Sequence, residues 1–155
     1  MSKGTDFEDW LESQLILAYD DHKIRGFKRE ELKSRVKRNR RARGRDTFHF
    51  DFEVTLNDGR TLAIECKSVD VPSRMTTEFG STPMIKKHQL VALRENDKTG
   101  VSMFLLEYRR TDSKYIMFID DYTQLIIDNG LIKSIKEKWL TRQIKGFDDI
   151  LKEVE

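Results

Sequence analysis

Asp51, Glu65 and Lys67 are the residues of this chain whose types and spacing best suit chemistry. The segments that carry them read as the two arms of a β-hairpin. From Phe48 to Val54 the chain alternates strictly, with Phe48, Phe50, Phe52 and Val54 on one face and His49, Asp51 and Glu53 on the other. From Thr61 to Lys67 it alternates again, Leu62, Ile64 and Cys66 against Ala63, Glu65 and Lys67. A three-residue loop, Asn57 to Gly59, pairs Phe52 with Ile64, Phe50 with Cys66 and Asp51 with Glu65, so that apolar meets apolar. A two-residue loop slips the pairing by one and turns one apolar face the wrong way. Gly59 is then the residue that takes positive φ. Directly opposed residues have Cβ atoms about 5 Å apart, and like charges there destabilise a hairpin. Two carboxylates so placed imply a shared proton or a cation between them. Oxygen ligands suit Mg²⁺, with Mn²⁺ as the alternative. Lys67, on the same face as Glu65, would position or help deprotonate a water, or neutralise charge at a phosphate. The same pattern also describes a solvated hairpin face with scattered charges.

An acid, about a dozen residues, then Glu-x-Lys across a hairpin resembles the core of the PD-(D/E)xK nuclease superfamily. The matching residues are Asp51, Glu65, Cys66 and Lys67. The proline of that motif is absent, since Phe50 precedes Asp51. The bare string of acid, any residue and lysine also occurs at Asp21, Glu31 and Asp112, so the resemblance rests on the hairpin context. It implies an α/β, restriction-endonuclease-like core: a mixed central β-sheet flanked by helices.

Length and composition set the frame. A chain of 155 residues is long enough for one domain with a real core. Charged residues make up 36 % of it, and no apolar run approaches a membrane span, so a soluble protein without a membrane partner is expected. No secretory signal is visible at Met1 to Trp10. A single cysteine forms no internal disulfide, and three scattered histidines form no zinc cluster. These features point to the cytoplasm. Charge is segregated: between Lys23 and Arg45 twelve Lys or Arg stand against Glu30 and Glu31, a net +10 in a chain of net +2, which leaves −8 elsewhere. Arg35, Lys37, Arg38, Arg40, Arg41, Arg43 and Arg45 follow one another with no acid between them. Such density beside the hairpin is the footprint of a binder of phosphate backbones. A basic arm for any polyanion, or a solvated helix face, is the plainer alternative.

The flanking elements extend the resemblance. Asp6 to Tyr19 has helical periodicity. Gly4-x-x-Phe7-Glu8 is similar to the N-terminal signature of RecU-type and archaeal Hjc-type Holliday junction resolvases, in which a first-helix glutamate reaches toward the metal. Glu8 fits by position, and Glu12, one turn on, is its rival. Ser68 to Pro83 reads as a loop, and Met84 to Arg94 as a helix. His88-Gln89 on that helix resembles the His-Gln pair of the same resolvases and would orient water or phosphate. Ser102 to Tyr108 and Tyr115 to Ile119 read as strands, followed by a short helix through Ile127 closed by Asn129-Gly130. Leu131 to Glu155 reads as one or two amphipathic helices. The resemblance implies a Mg²⁺-dependent endonuclease that resolves four-way DNA junctions. Asp51, Glu65, the Cys66 carbonyl and Glu8 would hold the metal, and Lys67 and Gln89 would assist. Arg35 to Arg45 and His88 would contact DNA. A homodimer is expected, because a two-fold junction needs two cuts. Other endonucleases of duplex or flap DNA, and a non-catalytic nucleic-acid-binding protein, are the alternatives.

Overall fold

The computed structural model describes residues 3–30, 50–70 and 74–155. It opens with helix α1 (Lys3–Asp20), whose Phe7, Leu11, Leu15 and Ala18 form one buried stripe. His22, at φ 59°, turns the chain into strand β1 (Ile24–Arg29). After β1 come β2 (Phe52–Leu56), β3 (Thr61–Val69), the two-residue β4 (Met75–Thr76) and helix α2 (Lys87–Asp97). Then follow β5 (Val101–Tyr108), β6 (Ser113–Phe118), helix α3 (Ile119–Asn129), the two-residue β7 (Ser134–Ile135) and a 3₁₀ turn (Glu137–Trp139). Strand β8 (Gln143–Ile144) and helix α4 (Phe147–Val154) end the chain.

The principal sheet has the order β1-β2-β3-β5-β6-β8. Only β3 and β5 run parallel; every other neighbouring pair is antiparallel. Strands β4 and β7 form a separate ribbon. Helices cover both faces. On one, α1 and α4 pack on Phe52, Val54, Ile64, Met103 and Leu105. On the other, α2 and α3 pack on Ala63, Phe104, Leu106 and Met117. The mixed α/β architecture expected from the sequence is therefore present. No helix among the described residues is long and apolar enough to cross a membrane.

The hairpin register is the expected one. Phe52 pairs with Ile64, Val54 with Leu62 and Thr55 with Thr61. Leu56 N–H donates to the Arg60 carbonyl at 2.9 Å and Gly59 N–H to the Leu56 carbonyl at 2.9 Å, which closes a three-residue loop with Gly59 at φ 93°.

Several expectations are corrected. Strand β2 begins only at Phe52, after a bend at Asp51, and Phe50 turns away from Phe52 into the core under α2 and α3. Phe48 and His49 lie outside the described residues. Part of the basic segment is a strand, β1; Lys23, just before it, is committed to Asp148, and Arg29, at its end, to Asp9 and Glu12. The segment read as a loop contains β4, and the helix after it starts three residues later than expected, at Lys87. The tail is not one long helical region. Only Phe147–Val154 is α-helical, while β8 extends the sheet beside β6 and β7 pairs with β4. The tail thus packs on its own sheet, with Phe147 N–H donating to Gln14 Oε1 at 3.0 Å.

The entry into β5 leaves no room for a side chain. A Cβ on Gly100 would lie 2.3 Å from the Thr61 carbonyl oxygen, where β3 and β5 start side by side. Asn96 Nδ2 fixes the same corner through the Thr61 and Val101 carbonyls, at 3.2 and 3.0 Å. Gly100→Ala is expected to lower stability by about 1–3 kcal/mol, because backbone must shift to admit one methyl group. Urea unfolding followed by circular dichroism checks this, and an unchanged midpoint would contradict the tight corner.

Candidate metal centre

Asp51 stands at the bend where the β2–β3 ladder ends. Counting back from the bonded pair Leu56–Arg60, the Asp51–Glu65 position is one where the strands exchange no backbone hydrogen bonds and side chains come closest. The next pair, Phe50 and Cys66, would have been a bonded one. Instead, Cys66 N–H donates to Asp51 Oδ2 at 2.9 Å. Asp51 N–H donates to Glu65 Oε1 at 3.2 Å, and the Asp51 carbonyl accepts from Glu30 N–H at 2.9 Å. The two acids therefore take over the hydrogen bonding of the strand where backbone pairing stops. Phe50, swung into the other core, is no longer in position to supply it.

Both carboxylates are removed from solvent: Asp51 is 7 % exposed and Glu65 4 %. Burying a charge is costly unless it is paired. Lys67 Nζ, itself largely buried, lies 3.9 Å from Glu65 Oε2. Among the described residues Lys67 is the ammonium beside these two carboxylates, and a divalent cation would favour their charged forms further. The thiol of Cys66 is held in its neutral form. Burial first, then the charges of Asp51, Glu8 and Glu65, push its thiol well above the ordinary range against the opposing effect of Lys67. What the hairpin offers is oxygen: two carboxylates and the Cys66 carbonyl. Mg²⁺ accepts such a set, using one or two carboxylates and keeping the rest of its shell for water and phosphate. Among the described residues, no three His, Cys, Asp or Glu side chains converge as a metal-binding group.

The acids of α1 divide by their partners. Arg29 Nη1 donates to Asp9 Oδ1 at 2.7 Å and to Glu12 Oε2, and its guanidinium lies 5.8 Å from the Phe52 ring centroid. Glu12 is thus clamped to β1. Glu8 is the α1 acid whose charge is felt at Cys66. Sequence spacing does not distinguish the two, since they share a helix face; the arginine that binds Glu12 comes from another element.

The start of α2 lies close to Lys67. Partial burial, then the charges of Lys86 and Lys67, hold the His88 imidazole below its ordinary pKa. Gln89 Oε1 accepts Lys86 N–H at 3.2 Å and so caps its own helix. The run Arg35, Lys37, Arg38, Arg40, Arg41, Arg43 and Arg45 lies outside the described residues.

Sequence reasoning missed a charged cluster beyond Lys67 on the α1 side. Ser68 Oγ donates to Glu107 Oε1 at 2.6 Å, Lys114 Nζ lies 3.6 Å from Glu107 Oε2, and Lys114 sits 4.8 Å over the Trp10 ring. Its signal was cross-strand register, Ser68 opposite Glu107 and Glu107 opposite Lys114, which depends on strand order rather than local pattern. No protein-family model matches this sequence, and no curated protein matches it either.

Proposed function

We propose that this protein is a metal-dependent endonuclease of the PD-(D/E)xK type acting on DNA, and specifically a resolvase of four-way junctions. The observation that carries the reading is the buried pair Asp51 and Glu65, each accepting a backbone N–H at the end of the ladder, with Lys67 Nζ 3.9 Å from Glu65. Asp51, Glu65 and the Cys66 carbonyl would hold Mg²⁺ or Mn²⁺, and Glu8, which does not converge with them as a third side-chain ligand, would add its negative charge from α1. When bound, the metal supplies Lewis-acid stabilisation of a phosphate oxygen and a more acidic water. Asp51 and Glu65 provide the negative, water-poor pocket. Lys67 provides a fixed ammonium that places a water or screens charge building on the phosphate. His88, exposed on α2, would contact the DNA backbone. Two copies of such a site, one in each subunit of a symmetric dimer, would make paired cuts across a junction.

The test is incubation of a labelled four-way junction and a matched linear duplex with the protein, in Mg²⁺ and separately in chelator. Paired nicks in opposing arms of the junction alone, lost with chelator, are the expected result. Cutting of both substrates makes it a nuclease of duplex or flap DNA with the same chemistry. Tight binding with no nick in Mg²⁺ or Mn²⁺ makes it a non-catalytic nucleic-acid-binding protein.

A further inference from the structure

Strand β1 carries cations in alternating environments. Arg29, on the α1 side, is bound by Asp9 and Glu12, and Lys23, just before the strand, is bound by Asp148. Arg25 and Lys28 are exposed and form no ion pair among the described residues. Phe27 packs with the α1-side core, and Arg29 lies over Phe52. By strand alternation Lys28 therefore points to the opposite face, together with its partner Glu53. Arg25 occupies the bulge between Ile24 and Gly26 and reaches toward the hairpin loop, with Nη1 3.7 Å from where a Cβ on Gly59 would sit.

A shallow groove of about 380 Å³ runs across this face, lined by Arg25, Lys28, Glu53, Thr55 and Thr61, with Gly26 at its floor. A Cβ on Gly26 would meet nothing within 4 Å, so the floor is open. On this face Ala63 of β3 is packed by the α2–α3 layer, whereas Thr55 of β2 is exposed. The groove lies on the same face of the sheet as the acids: Glu53 pairs with Ala63, and two residues along β3 from Ala63 stands Glu65. Lys28 is two strands across and two residues along from Glu65, about 12 Å, given ~4.8 Å between strands and ~3.3 Å per residue. On the far side of Glu65 stands Lys67, two residues along β3 on the same face. Cations thus flank the acids on both sides of one face.

We propose that this open face of β1 and β2 seats the phosphate backbone of the DNA strand that enters the metal centre, with Arg25 and Lys28 as its two anchors. The inference rests on the nuclease reading and adds to it a substrate path. Small side chains on the floor let a strand lie close, and two exposed cations, Arg25 and Lys28, offer two phosphate contacts. Glu53 beside Lys28 keeps the grip weak enough for release. Nothing in the groove reads bases, so the contact positions DNA without selecting sequence.

The test measures binding of a labelled four-way junction in chelator, by fluorescence anisotropy, across a range of salt. Wild type is compared with the exposed double variant Arg25→Ala/Lys28→Ala and with Lys152→Ala, which removes an exposed cation from α4 on the other side of the sheet. The expected result is that the double variant flattens log K against log salt by about 1.8, at 0.9 per phosphate contact, while Lys152→Ala leaves the slope alone. An unchanged slope in the double variant, with wild type still nicking in Mg²⁺, overturns the path and leaves the nuclease standing. A flattened slope in a protein that never nicks supports the path and removes the nuclease. Equal flattening in Lys152→Ala overturns the path, because bulk charge would then explain it.

Discussion

Asp51→Asn is expected to fold normally and to lose nicking of a four-way junction by about a thousand-fold or more, the scale set by removing one electrostatic element of a preorganised site. Asparagine keeps an oxygen that can accept Cys66 N–H, so the bond made by Asp51 Oδ2 at 2.9 Å survives in kind. What disappears is one of two negative charges packed side by side and almost out of water. Their repulsion is relieved in the variant, so in chelator its thermal midpoint should equal or exceed that of wild type. In Mg²⁺ the order should invert. Wild type gains RT ln(1 + [L]/Kd), about 2.7 kcal/mol at a hundredfold excess over Kd, and the variant should gain far less. Glu65→Gln should behave alike, since glutamine can still accept Asp51 N–H. A site that is less stable without its ligand than a neutralised version of itself is one selected for binding. Loss of stability in chelator with an unchanged Mg²⁺ response would mean instead that the two acids serve only as caps on a strand end.

How much of this was legible depended on whether a segment's neighbours were local. The hairpin was, because its apolar alternation and Gly59 fix one register, and the pairing of Phe52 with Ile64 follows. The bend at Asp51 was not. Phe50 continues the alternation in sequence, yet the ladder stops before it and its side chain enters the opposite core. Strand β1 was hidden by a bulge at Arg25 that breaks its period and by a charge run that reads as solvated. The tail was misread as helical because two-residue strands carry no period. Trp139, Leu140 and Ile144 have the spacing of a helix face, but Ile144 joins the sheet through Lys114 of β6. The pairing of Glu12 with Arg29, distant in sequence, was not legible either. In each case the missing information was which elements become neighbours, and that is a property of strand order.

Phe52→Ala is expected to be the most destabilising of the substitutions considered, by about 3–5 kcal/mol, the usual cost of emptying a fully buried aromatic site. The ring is completely buried at the first residue of β2, in the core packed by α1 and α4. At about 2–4 °C per kcal/mol for a chain of this size, the thermal midpoint should fall by roughly 10–15 °C. Ile127→Ala, at a site 69 % exposed, should change stability by no more than about 0.5 kcal/mol and serves as the control. The cavity would do more than weaken the core. Phe52 stands between Asp51 on one side and the guanidinium of Arg29 above its ring, and Arg29 is what ties Asp9 and Glu12 of α1 to β1. Removing the ring should therefore loosen the helix that carries Glu8. A double-mutant cycle of Phe52→Ala with Arg29→Ala should show a coupling of about 0.5 kcal/mol or more, because the two groups touch. Additive losses would mean that α1 is held by its buried apolar stripe, Phe7, Leu11, Leu15 and Ala18, independently of the arginine. Glu8 would then owe its place to the helix as a whole and not to the arginine beneath it.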